Sequence, residues 1–62
     1  MTYDVGTAAL ILSKDEAFTL RDFLRDRLRP LQFEVARTEE KNLRHILLAR
    51  QELIERLLAL LD

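Results

Sequence analysis

Apolar residues recur at intervals of three and four along two stretches of the chain. The first stripe consists of Ala17, Leu20, Leu24, Leu28, Leu31 and Val35. The second consists of Leu43, Leu47, Arg50, Ile54, Leu57 and Leu61. This spacing is typical of the buried face of a helix, and the first stripe continued past Val35 misses the leucines of the second. The pattern predicts an all-α fold, an antiparallel helical hairpin with helices at about 14–37 and 39–61.

Polar residues mark the predicted helix ends. Ser13 and Glu16, in "SKDE", have the spacing of a capping box, so the first helix should begin directly after Ser13. Thr38 is the expected N-cap of the second helix. Pro30 falls inside the first helix, and because the stripe passes it in phase we expect a kink there. A helix that ends at Pro30 is the alternative.

The first twelve residues read as a separate segment, an extended arm or short strand before the hairpin of residues 13–62. Thr7 to Leu12 is β-branched and aliphatic and follows Gly6, which favours an extended conformation. So short a strand is not stable alone. An ordered strand here is therefore expected to pair with another copy or to lie against the helices.

Both predicted helices carry more apolar residues than one neighbouring helix covers. Ile46, Leu53 and Leu60 form a second line spaced by seven, and Phe18 and Phe33 project off the first stripe. The chain has 62 residues and no cysteine, so neither a large core nor a disulfide supplies the missing stability. We expect homo-oligomerisation, with a dimer favoured, into a four-helix or larger bundle.

Arg50 is the one charged residue in the second stripe. A guanidinium in a desolvated seam needs a carboxylate, although its aliphatic stem can also lie along the seam with the charge at the edge. No acidic residue is expected opposite it in the hairpin, so Glu34 of another copy is the predicted partner. The predicted oligomer interface comprises Phe18, Phe33, Glu34, Ile46, Arg50, Leu53 and Leu60.

Few residues offer catalytic or metal-binding chemistry. Ser13, the only serine, is explained as a cap, and His45, the only histidine, is predicted on the outer face of the second helix. We therefore expect no enzymatic activity, no cofactor and no metal. The net charge is -1, and no segment resembles a signal peptide or a membrane span, so a cytoplasmic location is expected.

A row of arginines leaves a second function open. Arg21, Arg25 and Arg29 fall at i, i+4 and i+8, where they could follow a phosphate backbone. Asp22 and Asp26 are spaced to pair with Arg25 and Arg29, which favours a neutralised face. A small RNA- or DNA-binding helical dimer is the alternative to a protein-interaction module.

Several short motifs resemble a widespread group of small bacterial proteins of unknown function. They are "LRDFLRDRL", "VARTEE", "RQEL" and "ERLLALL", and the likeness covers roughly residues 10–61. Arg37, Thr38 and Glu39 match the turn of that group, whereas Pro30 departs from its pattern. The resemblance implies a helical hairpin with a short extended start and brings no activity. The function expected from the residues is a non-enzymatic oligomeric module, a scaffold or regulator of another protein.

Overall fold

Two antiparallel helices preceded by a two-stranded sheet make up the fold. The structure is a computed structural model that describes residues 1–6 and 8–62. Its elements are β1 (Thr2–Val5), β2 (Ala8–Ile11), α1 (Lys14–Arg37) and α2 (Lys41–Leu61). The predicted helical hairpin is confirmed, and the first helix has the predicted bounds.

Helix α1 begins at a capping box and continues through Pro30. The Glu16 N–H donates to the Ser13 hydroxyl at 3.1 Å, and the Ser13 N–H donates to the Glu16 carboxylate at 2.9 Å. Hydrogen bonds from the backbone and side chain of Ser13 lower the pKa of Glu16. Because the helix runs without interruption to Arg37, the alternative of an end at Pro30 is wrong. The kink at Pro30 stays a prediction.

The turn between the helices differs from the prediction. Thr38 does not cap α2. Instead its N–H and hydroxyl donate to the Glu34 carbonyl at 2.9 and 2.5 Å, which closes the C-terminus of α1. The N-cap of α2 is Glu40, whose carboxylate accepts from the N–H groups of Asn42 and Leu43 at 3.0 and 2.6 Å. Helix α2 therefore starts two residues later than expected, and the Glu40 carboxylate satisfies two of the free N–H groups of its first turn.

The N-terminal strand is paired within its own chain. Strand β2 pairs antiparallel with β1, in register from Thr2 opposite Ile11 to Val5 opposite Ala8. Gly6 follows β1 with a φ of 69°, a conformation that glycine adopts without strain in tight hairpin turns. The partner of β2 is therefore β1 of the same chain, and pairing with another copy is not needed to order the strand. The predicted start of the strand at Thr7 lies outside the described residues.

The core is the stripe along which the two helices meet. Its buried residues are Ala17, Leu24, Val35, Leu47 and Leu58. The buried or half-buried residues of α2 are Leu47, Gln51, Ile54, Leu57, Leu58 and Leu61. Four of the six predicted seam residues are among them, and the face is rotated towards Gln51 and Leu58, away from Arg50 and Leu43. Leu58 is buried, whereas Arg50 and Leu43 are exposed, so the placement of Arg50 in the seam is wrong. This rotation of α2 packs a leucine against α1 and leaves the guanidinium in water, which avoids its desolvation.

The capping box gives a prediction that depends on pH. Because folding lowers the pKa of Glu16, its contribution to stability is present above the ordinary value of 4.5 and is lost as the pH falls through the lowered value. Thermal melts of wild type and Glu16→Gln should therefore differ at pH 6 and converge towards pH 3. A difference that stays constant over this range would contradict the prediction.

The hydroxyl of Ser13 can be tested separately. Ser13→Ala should lower the free energy of unfolding by about 1 kcal/mol, because an alanine leaves the Glu16 N–H without its acceptor. Ser13→Asp keeps an acceptor at this position and is the matched control. Urea denaturation at neutral pH measures both, and equal losses in the two variants would show that the loss does not come from the missing acceptor.

Candidate interaction surface

The hairpin forms a single layer of helices with two broad faces. The Cα atoms span 39 × 24 × 12 Å, so the smallest dimension is half of the next. Residues on either side of the buried stripe of a helix belong to opposite faces of this layer. Contacts between the helices show which flank of α1 shares a face with which flank of α2.

One face carries two ion pairs near the C-terminal end of α2. Arg25 donates to the Asp62 carboxylate at 2.7 Å, and a guanidinium nitrogen of Arg21 lies 3.8 Å from the same oxygen. The Arg21 guanidinium also lies 4.5 Å from the centre of the Phe18 ring, in a cation–π contact. We call this side the charged face, which consists of Phe18, Arg21, Arg25, Arg44, Leu48, Gln51, Glu55 and Asp62.

The opposite face contains a cavity of about 330 Å³ between the helices. It is lined by Arg27, Pro30, Leu31 and Glu34 from α1 and by Leu47, Arg50, Leu53 and Ile54 from α2. Ile46 and Leu60 lie seven residues either side of Leu53, and Phe23 lies four residues before Arg27, so they share these flanks. We call this side the apolar face, which consists of Phe23, Arg27, Glu34, Ile46, Arg50, Leu53, Leu57 and Leu60.

Large apolar side chains on the apolar face are open to solvent in a single chain. Their exposed fractions are 59% for Phe23, 51% for Ile46, 42% for Leu53 and 38% for Leu60. Monomeric proteins seldom leave so many large apolar residues together at the surface. The face therefore has the character of a contact surface.

The structure brings together five of the seven residues predicted at the oligomer interface. Those five, all on the apolar face, are Glu34, Ile46, Arg50, Leu53 and Leu60. Phe18 lies on the charged face under Arg21, and Phe33 lies about 180° around α1 from buried Leu24, on the outer edge. The predicted interface omitted Phe23 and Arg27, although both share the flank of Glu34 at helical spacing.

The arginine row is arranged differently from the prediction. Among residues 1–6 and 8–62, the ion pairs of Arg21 and Arg25 are both with Asp62. The predicted pairs of Arg25 with Asp22 and of Arg29 with Asp26 are therefore wrong. Two guanidinium groups that the sequence placed in a phosphate-binding row converge on one carboxylate, because α2 ends beside them.

Among the described residues, the side chains that could bind a metal ion do not cluster at one place. His45 is exposed, and within the described part of the chain no three His, Asp or Glu side chains cluster so as to hold a metal ion. A depression of about 870 Å³ lies along the outer side of α1, where Arg25, Arg29 and Arg37 alternate with Asp26 and Glu34. Its charges are mixed in sign, which does not single out an anionic or a cationic ligand.

Comparison with known proteins does not assign the chain to a family. No family model matches the chain, and the searches of curated proteins and of solved structures gave no significant match. Neither of the described helices contains an apolar stretch long enough to cross a membrane.

The contribution of the ion pair between Arg25 and Asp62 to stability can be measured by comparing substitutions of Arg25 and of Arg29 on the same helix. Arg25→Gln should lower the free energy of unfolding by no more than about 1 kcal/mol, since both partners are substantially exposed. The loss should shrink in 1 M salt, which screens the charges. Arg29→Gln is the matched control because Asp62 is not its partner. A loss that salt leaves unchanged would show that Arg25 acts through packing instead.

Proposed function

We propose that this chain is a non-enzymatic helical interaction module that works as a homo-oligomer. The apolar face is its assembly surface, and the layer of helices on the other side of that face comes from a second copy. The assembled bundle then serves as a scaffold or regulator of another protein. Its exposed outer edge, with Phe33 61% exposed, remains available for such a partner.

The observation that carries this proposal is the surface area of the single chain. The chain exposes 5057 Å², about 900 Å² more than the roughly 4,200 Å² expected for a folded monomer of this mass. Its Cα radius of gyration of 13.2 Å also exceeds the value of about 10.6 Å expected for a globular domain of this length. A stable protein interface buries about 800 Å² on each partner. The excess is similar in size to the surface that one copy typically gives up in a dimer.

Burial inside the hairpin supports the same conclusion. In the part of the chain that the structure describes, no large side chain is fully buried. Small domains need an additional source of burial, and this chain has no cysteine for a disulfide. A second helical layer supplies that burial.

Nucleic-acid binding has weaker support. Arg21 and Arg25 both contact Asp62, so a phosphate backbone would have to displace that carboxylate or compete with it. Filter binding to mixed RNA and DNA over a salt series tests this alternative, since a phosphate binder weakens as salt rises. We expect no retention even at low salt. Retention that falls with salt and is abolished in Arg29→Gln would favour the alternative.

The assembly itself gives a direct prediction. At micromolar concentration the purified chain should have at least twice the monomer mass of 7.3 kDa. Leu53→Lys, which puts a charge in the apolar face, should raise the dissociation constant by about tenfold or more. Leu48→Lys, on the charged face four residues after Arg44, is the matched control and should keep the wild-type mass. Sedimentation equilibrium measures all three, and a folded wild-type monomer would overturn the proposal.

A further inference from the structure

Charged residues lie in the middle of the apolar face. Arg27, Glu34 and Arg50 line its cavity of about 330 Å³ and are exposed in a single chain. The ion pairs formed among residues 1–6 and 8–62 both involve Asp62, so Glu34 pairs with neither arginine. Water therefore solvates these groups in one copy. When a second layer covers the face this water is displaced, and each charge then needs a partner of opposite sign.

A second copy of the chain supplies such a partner by symmetry. In a two-fold dimer, a residue that contacts another across the interface is itself contacted by the equivalent residue in return. Glu34 lies on α1 and Arg50 lies on α2, and both line the same cavity. A two-fold axis that lies in the face midway between them, perpendicular to the line joining them, brings each residue opposite the other in the partner. One rotation then forms two equivalent ion pairs.

We propose that two copies join apolar face to apolar face about such an axis, with Glu34 of each copy paired to Arg50 of its partner. Arg27 lies two turns before Glu34 on the same flank of α1, roughly 10 Å along the helix, and is not part of this pair. The inference rests on the proposed function and specifies the partner, the face and the register. A dimer is the expected assembly, because the excess exposed surface of one chain corresponds to about one interface.

The charge of the apolar face favours its own copy over other occupants. The cavity presents two arginines and one glutamate within an apolar surround. An acidic partner would leave Glu34 unpaired in a desolvated site, and a basic partner would leave both arginines unpaired. A copy of the same face offers an acid opposite a base at both positions. Among these three occupants it alone pairs both Glu34 and Arg50.

Charge reversal followed by mixing tests the pairing between copies. Glu34→Arg alone places arginine opposite arginine at both pairs, and Arg50→Glu alone places glutamate opposite glutamate. Each single variant should raise the dimer dissociation constant by about tenfold or more. When the two variants are mixed, the new arginine meets the new glutamate, and the unchanged Arg50 of one chain meets the unchanged Glu34 of the other. The mixture should form heterodimers about as tightly as wild type forms homodimers.

Sedimentation equilibrium measures the masses, native mass spectrometry separates heterodimers from homodimers, and circular dichroism follows helix content. If a single variant loses its helix content alone and regains it on mixing, that result also supports the pairing. Arg44→Glu and Glu55→Arg reverse charges on the charged face and are the matched controls, which should dimerise as wild type does.

The outcomes separate this inference from the proposed function. Wild type dimerising while both single variants keep its dissociation constant would overturn the pairing and leave the oligomeric module intact. Single variants that weaken the dimer, but whose mixture is no tighter than either alone, would show that the two residues do not meet between copies. A wild-type chain that is a folded monomer would remove both proposals.

Discussion

Contact between the two helices of a single hairpin buries only one stripe of residues on each helix. The remaining apolar residues of both helices therefore stay at the surface. Leu24 and Val35 of α1 and Leu47 and Leu58 of α2 are buried in the shared stripe. The second apolar line of α2, made of Ile46, Leu53 and Leu60, stays substantially exposed. A hairpin of this length therefore forms one layer of helices, and large apolar residues on its broad face stay exposed.

Local polar interactions fix where the helices end, and they contribute little to holding the helices together. The capping box at Ser13, the Thr38 hydroxyl on the Glu34 carbonyl and the Glu40 carboxylate each satisfy backbone groups at one terminus. The link between Arg25 and Asp62 is exposed and contributes at most about 1 kcal/mol. Caps therefore determine where the helices of the hairpin begin and end, whereas burial of apolar surface stabilises the hairpin.

Sequence periodicity predicted both helices, the start of α1 and the excess of apolar surface, because these depend on spacing within one helix. It failed where two elements have to be placed against each other. Arg50 and Gln51 are about 100° apart on the helix, but the two seams share Leu47, Ile54 and Leu61, so they differ by roughly half of that rotation. Only packing against α1 decides that Leu58 turns inward. The partner of Arg25 was missed for the same reason, since Asp62 is distant in sequence and is brought near by the hairpin. Glu40 was missed because glutamate is an uncommon N-cap.

The position of Arg50 explains why the apolar face is not entirely apolar. If every residue of the face were aliphatic, it would bury well against any apolar surface and in many registers, which favours aggregation over a defined assembly. Charges within the face penalise every arrangement that leaves them unpaired, so they reduce the number of acceptable partners and registers. The rotation that moves Arg50 out of the hairpin seam moves it into this surface. In the proposed dimer, the residue that would be costly inside one chain thereby sets the specificity of contact between chains.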